Sequence, residues 1–379
     1  MLDALRLLDL RGYASLDVTF EPGPQLVHGP NAAGKTSLLE AIALLGWGRS
    51  HRTSADGELI RWGRDLARTE GRVGGDVLEV AIARSGADGS GGRKRIRVNG
   101  VGRRASGLGR HLRVVLFAPE EMLLVAGSPS LRRTAVDQLA TAGSPAFLDA
   151  LTTYGRTLQQ RNSLLRAIRE ETASRDELRF WDATFLDSGA RVVEERLRLL
   201  ESIADPLARA HAEIAPEEAG TRLAIRYASN ASPLPGESIR DGLARRLVET
   251  AEKEVWNGAT LIGPHRDDLV FDLGGRDLAG FASRGQQRTA ILAFKLAELD
   301  HLTMLDGSPP LLLLDDVFSE LDPDRRAHLV RRIAELPQAF VTTTTLDDLD
   351  PGLRAVATTW EVRPAPEGAV LIGGAEVRR

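Results

Sequence analysis

Gly29-Pro30-Asn31-Ala32-Ala33-Gly34-Lys35-Thr36, near one end of the chain, is answered by Leu311-Leu312-Leu313-Leu314-Asp315-Asp316 near the other. The first stretch is a complete G-x-x-x-x-G-K-[ST] loop. Leu26-Val27-His28 before it reads as the end of a buried strand, and residues 37–45 after it as a helix, the setting in which such a loop holds phosphate. Its glycines let backbone N–H groups converge on an anion, and the helix N-terminus adds positive potential. Gly29, Pro30, Asn31, Ala32, Ala33, Gly34, Lys35 and Thr36 are therefore predicted to bind ATP. Lys35 would reach the β- and γ-phosphates, and the Thr36 hydroxyl would hold Mg²⁺. Only four of the 49 basic residues are lysines: Lys35, Lys94, Lys253 and Lys295. A lysine kept at position 35 suits a point-charge phosphate ligand, a task for which arginine's planar fork is a poor replacement.

The leucine run suits a strand buried on both faces. Ligands of an α/β sheet gather at the C-terminal ends of its strands. Asp315 there can hold Mg²⁺, and Asp316 can orient or deprotonate the attacking water. Lys35, Asp315 and Asp316 are thus the predicted catalytic set, with Thr36 and Asp315 on the metal. The competing reading, an ordinary strand ending in an acidic turn, does not use the phosphate loop.

Between these halves lies Ser283-Arg284-Gly285-Gln286-Gln287-Arg288 at the start of a long helical pattern. It resembles the signature of ABC-class ATPases, in which a serine and glycine at a helix N-terminus cap the γ-phosphate held by a second subunit, through exposed N–H groups and the helix dipole. Ser283, Gly285 and Gln286 are the residues this assigns to nucleotide. A plain helix cap is the alternative, since serine is a favoured N-cap and Gln287 offers a rough capping box. Ser319-Glu320-Leu321-Asp322 resembles the D-loop of the same class.

The 379 residues allow two or three lobes and a sizeable core. A net charge of −4 gives no global attraction to nucleic acid, and the absence of cysteine excludes disulfides, thiol catalysis and Cys-ligated zinc. No apolar stretch approaches the ~20 residues of a membrane helix. Asp3 and Asp9 interrupt the first apolar segment, against a secretion signal. A cytoplasmic protein without membrane contact is expected.

Residues 2–28 read as the two strands of a hairpin. Short strands follow at 77–83, 93–99 and 114–117, with a tight turn at Asn99-Gly100. Helical spacing covers 131–141, 145–172 and 176–214. Strands are expected at 222–227 and 269–273, a loop at 229–237, a helix at 283–305, a helix at 323–335 and a strand at 339–343. Residues 89–119 hold Arg93, Lys94, Arg95 and Arg97 with no Asp or Glu, a composition that suits DNA phosphates. A solvated hairpin whose arginines pair with acids elsewhere would read the same.

Taken together, the motifs resemble the RecF family of SMC-like bacterial recombination-repair ATPases. Leu8–Tyr13, Gly29–Thr36, His51-Arg52-Thr53, Phe117–Glu120, Gly127–Ser130 with Arg132-Arg133, Gly263–Leu269 and Leu313–Asp322 carry the likeness. It implies an α/β fold: an ABC-type head, with a mixed β region and a RecA-like P-loop core, carrying an inserted helical lobe. The head would comprise 1–122 and 246–379, and the lobe 123–245. It further implies an ATP-dependent homodimer and sequence-nonspecific binding of single- or double-stranded DNA. RecR and RecO would be partners in loading RecA at gaps, with a weak DNA-stimulated ATPase serving as the switch. Three departures from the wider ABC pattern point to slow hydrolysis. Asp316 stands where most members have glutamate, Thr342–Thr345 where they offer a histidine, and Pro119-Glu120 where a glutamine is expected. The alternatives are the nucleotide-binding subunit of an ABC transporter, whose loop and signature lie much closer in sequence, and an SMC-like ATPase of another DNA-processing complex.

Overall fold

The structure, a computed structural model, describes residues 1–85, 91–218, 220–318 and 321–373. Two compact units emerge. One comprises Met1–Met122, Glu213–Pro216 and Glu298–Arg379; the other Leu123–Ala212 and Glu217–Ala297. Among the described residues no helix is long and apolar enough to cross a membrane.

The first unit holds two six-stranded sheets. One is antiparallel and runs, edge to edge, Tyr13–Thr19, Leu2–Leu10, Leu66–Val73, Asp76–Ser85, Gly91–Val98 and Val101–Arg103. The other runs Gly368–Gly373, Thr358–Ala365, Gly23–His28, Gln338–Thr343, Leu311–Asp315 and Val114–Phe117. Its neighbours are parallel apart from the terminal hairpin Thr358–Gly373. The helix Lys35–Trp47 packs against strands of both sheets. That explains its composition: Leu38, Leu39, Ala41, Ile42, Ala43, Leu44 and Leu45 are all buried, so its apolar residues spread round the helix rather than along one stripe. Gln338 ties the sheets together, accepting from Leu2 N at 2.8 Å and donating to Leu2 O at 2.9 Å.

Sequence and structure differ over residues 2–28. They form three strands, not two, and Gly23–His28 leaves the hairpin to lie between Gln338–Thr343 and Thr358–Ala365. At Asn99-Gly100 both residues take positive φ, 51° and 78°, as the primed hairpin turn requires.

The second unit is built on the helices Pro129–Gly143, Pro145–Arg169, most of Leu178–Ile214, and Ile239–Asn257, with a three-stranded antiparallel sheet ordered Arg276–Asp277, Asp268–Leu273, Leu223–Ala228. It extends to Ala297, where the sequence reading placed the lobe's limit at 245. The cause is packing: Ile239–Asn257 lies against Pro145–Arg169, and Asp268–Leu273 against Pro129–Gly143. The helix Arg284–Asp306 starts in this unit, and its last turns from Glu298 belong to the other.

Candidate functional site

The phosphate loop leaves the C-terminal end of Gly23–His28, a central strand of the parallel sheet. Across that sheet Val27 is level with Thr342, and Thr342 with Asp315. This row brings the distant carboxylates to the loop. Gly29 and Gly34 have φ of 150° and 118°. A Cβ on Gly29 would lie 2.3 Å from the Val362 carbonyl oxygen, and one on Gly34 3.0 Å from Ala369 Cβ. Both glycines are therefore required where the terminal hairpin presses on the loop from behind. Asn31 and Ala32 form its exposed crest. The helix that follows has neither a side-chain cap nor an acidic residue in its first turn, which leaves its N–H groups and positive end for an anion.

Lys35 is buried, and its ammonium donates to the carbonyls of Gly29 at 2.7 Å and Pro30 at 3.0 Å. Burial holds its pKa below the ordinary lysine value, against the pull of Asp316 and Asp315. Asp315 is buried, and its Oδ1 accepts from the Thr342 hydroxyl at 2.6 Å. Asp316 stands in left-handed backbone, φ 52°, and its N–H donates to the same hydroxyl at 3.0 Å. The donor set (loop N–H groups, one ammonium, the Thr36 hydroxyl and two carboxylates) fits a polyphosphate with a hard divalent cation.

Sequence reasoning assigned no role to the charges behind the loop. Glu40 is fully buried on the loop's helix and accepts two hydrogen bonds from Arg11, each 2.8 Å, and one from Ser50 at 2.5 Å. Arg52 stands 3.5 Å away. Burial alone would raise the Glu40 pKa; the Arg11 and Ser50 hydrogen bonds outweigh it and leave it lowered. Ser50 also accepts from the N–H groups of Arg52 and Thr53, fixing the His51-Arg52-Thr53 segment. Both ring nitrogens of His51 are buried without a hydrogen-bond partner among the described residues. Burial lowers its pKa, opposed by Glu40, Glu120 and Asp315. In the sequence Arg11 and Arg52 stand out only as members of Leu8–Tyr13 and His51–Thr53, two of the stretches that carry the family likeness.

Ser283 and Gln286 lie in the second unit, at the N-terminus of Arg284–Asp306. They make a reciprocal capping box: Gln286 N donates to Ser283 Oγ at 3.2 Å, and Ser283 N to Gln286 Oε1 at 3.0 Å. Gln286, not Gln287, completes the box. Ser283 is exposed and Gly285 half-buried. Ser319 and Glu320 lie outside the described residues, and Asp322 caps Pro323–Ala334 by accepting from Arg325 N.

The basic strand is divided. Lys94 pairs with Asp56 at 2.8 Å and Arg97 with Glu79 at 3.6 Å. Arg93 and Arg95 are exposed, with no carboxylate within 4 Å among the described residues, and lie opposite Ala83 and Ala81. Lys94, Arg95, Arg103 and Arg104 line one open recess. Residues 89 and 90 of the acid-free stretch lie outside the described residues.

Gly263–Leu269 forms a buried polar junction within the second unit. Arg196 holds Asp137 by two bonds of 2.7 and 2.9 Å and donates to the Pro264 carbonyl at 2.8 Å. Tyr227 donates to Asp267 at 2.7 Å, and Arg132 holds Asp268 by two bonds. Tyr154 and His265 share a hydrogen bond of 2.6 Å, and burial lowers the His265 pKa to about 4.

Residues 1–359 match the family model "RecF/RecN/SMC N terminal domain". The chain is 40% identical over 357 residues to the DNA replication and repair protein RecF of Symbiobacterium thermophilum, covering 92% of each protein. To that of Bacillus subtilis it is 38% identical over 356 residues, covering 91% of this chain and 94% of the other. A solved structure of the recombination mediator protein RecF with ATP, from the RecFOR pathway, superposes with a TM-score of 0.86 at 30% identity, covering 99% of this chain and 97% of that one. An Smc head domain from Pyrococcus furiosus shares the fold, with a TM-score of 0.56 at 14% identity, over 99% of this chain and 96% of that one.

Proposed function

The chain belongs to the RecF/RecN/SMC N-terminal domain family, in its RecF branch, and we propose that it is an ATP-operated switch on DNA. On binding ATP it closes a homodimer, holds DNA without sequence preference, and is reset by slow hydrolysis. The role is recombinational and gap repair, in support of RecA loading with RecO and RecR. The observation that carries this reading is the row Val27–Thr342–Asp315, which supports a single site assembled from the two ends of the chain.

Bound Mg²⁺–ATP supplies the phosphoanhydride bond. The loop N–H groups and Lys35 bind and orient its phosphates, Thr36 and Asp315 hold the metal side, and Asp316 orients the attacking water and takes its proton. The exposed N-terminus of Arg284–Asp306, with Ser283, Gly285 and Gln286, serves the γ-phosphate held by the second copy. Arg93 and Arg95, with Lys94, Arg97, Arg103 and Arg104 around them, meet DNA phosphates, contacts that carry no base code.

Molar mass by light scattering, with and without ATP and DNA, tests the reading. The parent should double in mass with ATP, while Lys35→Met stays monomeric. A parent whose mass ATP and DNA leave unchanged, or a Lys35→Met variant that dimerises like it, would refute the assignment.

A further inference from the structure

A run of four threonines, Thr342–Thr345, begins in the last two residues of the strand Gln338–Thr343, and among the described residues only Thr342 is hydrogen-bonded to the carboxylate pair. Thr343 donates its hydroxyl to the Thr345 carbonyl at 2.9 Å, and Thr345 accepts from Asp347 N at 3.3 Å, so both serve the local turn. Thr342 is fully buried and points the other way. We propose that Thr342 is the positioning residue of the hydrolytic site, one hydroxyl that fixes the side chain of Asp315 and the backbone of Asp316 together. This rests on the nucleotide site proposed above and adds to it a residue outside the loop and carboxylate motifs.

The donor assignment is forced. A carboxylate only accepts and an amide N–H only donates, so Thr342 gives its single proton to Asp315 Oδ1 and receives that of Asp316 N. With Oδ1 tied to the sheet, Oδ2 is left for the metal side. The bond to Asp316 N meets a residue with φ 52°, in a region that non-glycine residues seldom occupy. Losing the hydroxyl would free one oxygen of the metal-side acid and the backbone that aims its neighbour. Thr342 touches neither water nor phosphate in this scheme; it acts through the two acids.

The test is titration of the full chain with mant-ATP, in saturating Mg²⁺ and in excess EDTA, for the parent, T342V and T342S, with unfolding temperatures measured without nucleotide. Valine keeps the shape and removes the hydroxyl. T342V should lose about 10–100-fold of its affinity in Mg²⁺, the usual effect of removing a hydrogen-bond partner of a metal ligand, and keep its EDTA affinity within about twofold. T342S should restore the Mg²⁺ increment. The inference falls if T342V keeps the increment, if it weakens equally in Mg²⁺ and EDTA, or if T342S fails like T342V. Should valine prevent folding, T342A and T342S carry the same comparison. A parent that does not bind mant-ATP overturns the nucleotide site itself, and this inference with it. A parent that binds, beside a T342V that matches it, overturns this inference alone.

Discussion

Replacing Arg11 by methionine should destabilise the first unit through its ion pair with Glu40, on the helix that follows the phosphate loop. Arg11 gives Glu40 two hydrogen bonds of 2.8 Å and the Glu58 carbonyl a third. Methionine keeps much of the apolar stem and leaves Glu40, fully buried, with Ser50 and the more distant Arg52. Removing one partner of a buried ion pair costs about 3–5 kcal/mol. The surviving contacts favour the lower end, ~3 kcal/mol, or roughly a 6–12 °C fall in the unfolding temperature of a unit this size. The pH dependence follows from sign. In the parent, Glu40 has a lowered pKa, so its contribution is present above the unfolded value and is lost as pH falls through the folded one. In the variant, burial dominates and raises that pKa, so protonation relieves the buried charge as pH falls. The deficit should therefore shrink between neutral pH and pH 5, and a further Glu40→Gln change in the variant should recover stability. Calorimetry or urea titration over that range reads both effects. A variant as stable as the parent, or a deficit independent of pH, would refute the reasoning.

Ser283→Arg should leave mant-ATP binding by the single chain within about twofold yet abolish the ATP-dependent mass increase, because the bulk stands only at the exposed helix start; loss of both together would count against a shared site. Asp316→Asn, whose side chain tolerates left-handed backbone, should slow hydrolysis by about 10²–10⁴-fold and accumulate the dimer. Asp315→Asn should instead weaken Mg²⁺-dependent binding about 10–100-fold, and identical behaviour of the two variants would contradict their separate roles. Arg93→Glu with Arg95→Glu should weaken DNA binding and reduce its log–log salt slope by about 2 while ATP-dependent dimerisation persists. An unchanged slope in filter binding would place the DNA contact elsewhere.

The phosphate loop, the leucine strand and the long helices were legible because each is a local pattern dense enough to override its neighbours. Ile239–Asn257 was missed although Ser238 and Asp241 form a full capping box at its start. Its buried face includes Gly242, Thr250 and Glu254, which dilute the apolar period. The placement of Gly23–His28 could not be read locally, because a parallel strand declares its partners only through residues far along the chain. The arginine-rich strand was legible as a charge count but not as a division: the acids that neutralise Lys94 and Arg97, Asp56 and Glu79, come from other segments. Thr342 illustrates the same limit. Its role lies across strands, where a run of threonines carries no signal of which hydroxyl faces the acids.

The interleaving of early and late strands also sets a schedule for biosynthesis. Gly23–His28 leaves the ribosome long before either strand that flanks it, Gln338–Thr343 or Thr358–Ala365. At ~5–20 residues per second that interval is roughly 15–60 s. Throughout it the helix Lys35–Trp47, which the finished fold buries on nearly every side, has only part of its eventual covering. The nascent chain should accordingly be a chaperone client until those two strands emerge, and a messenger truncated before position 338 should yield an insoluble product however completely it encodes the phosphate loop.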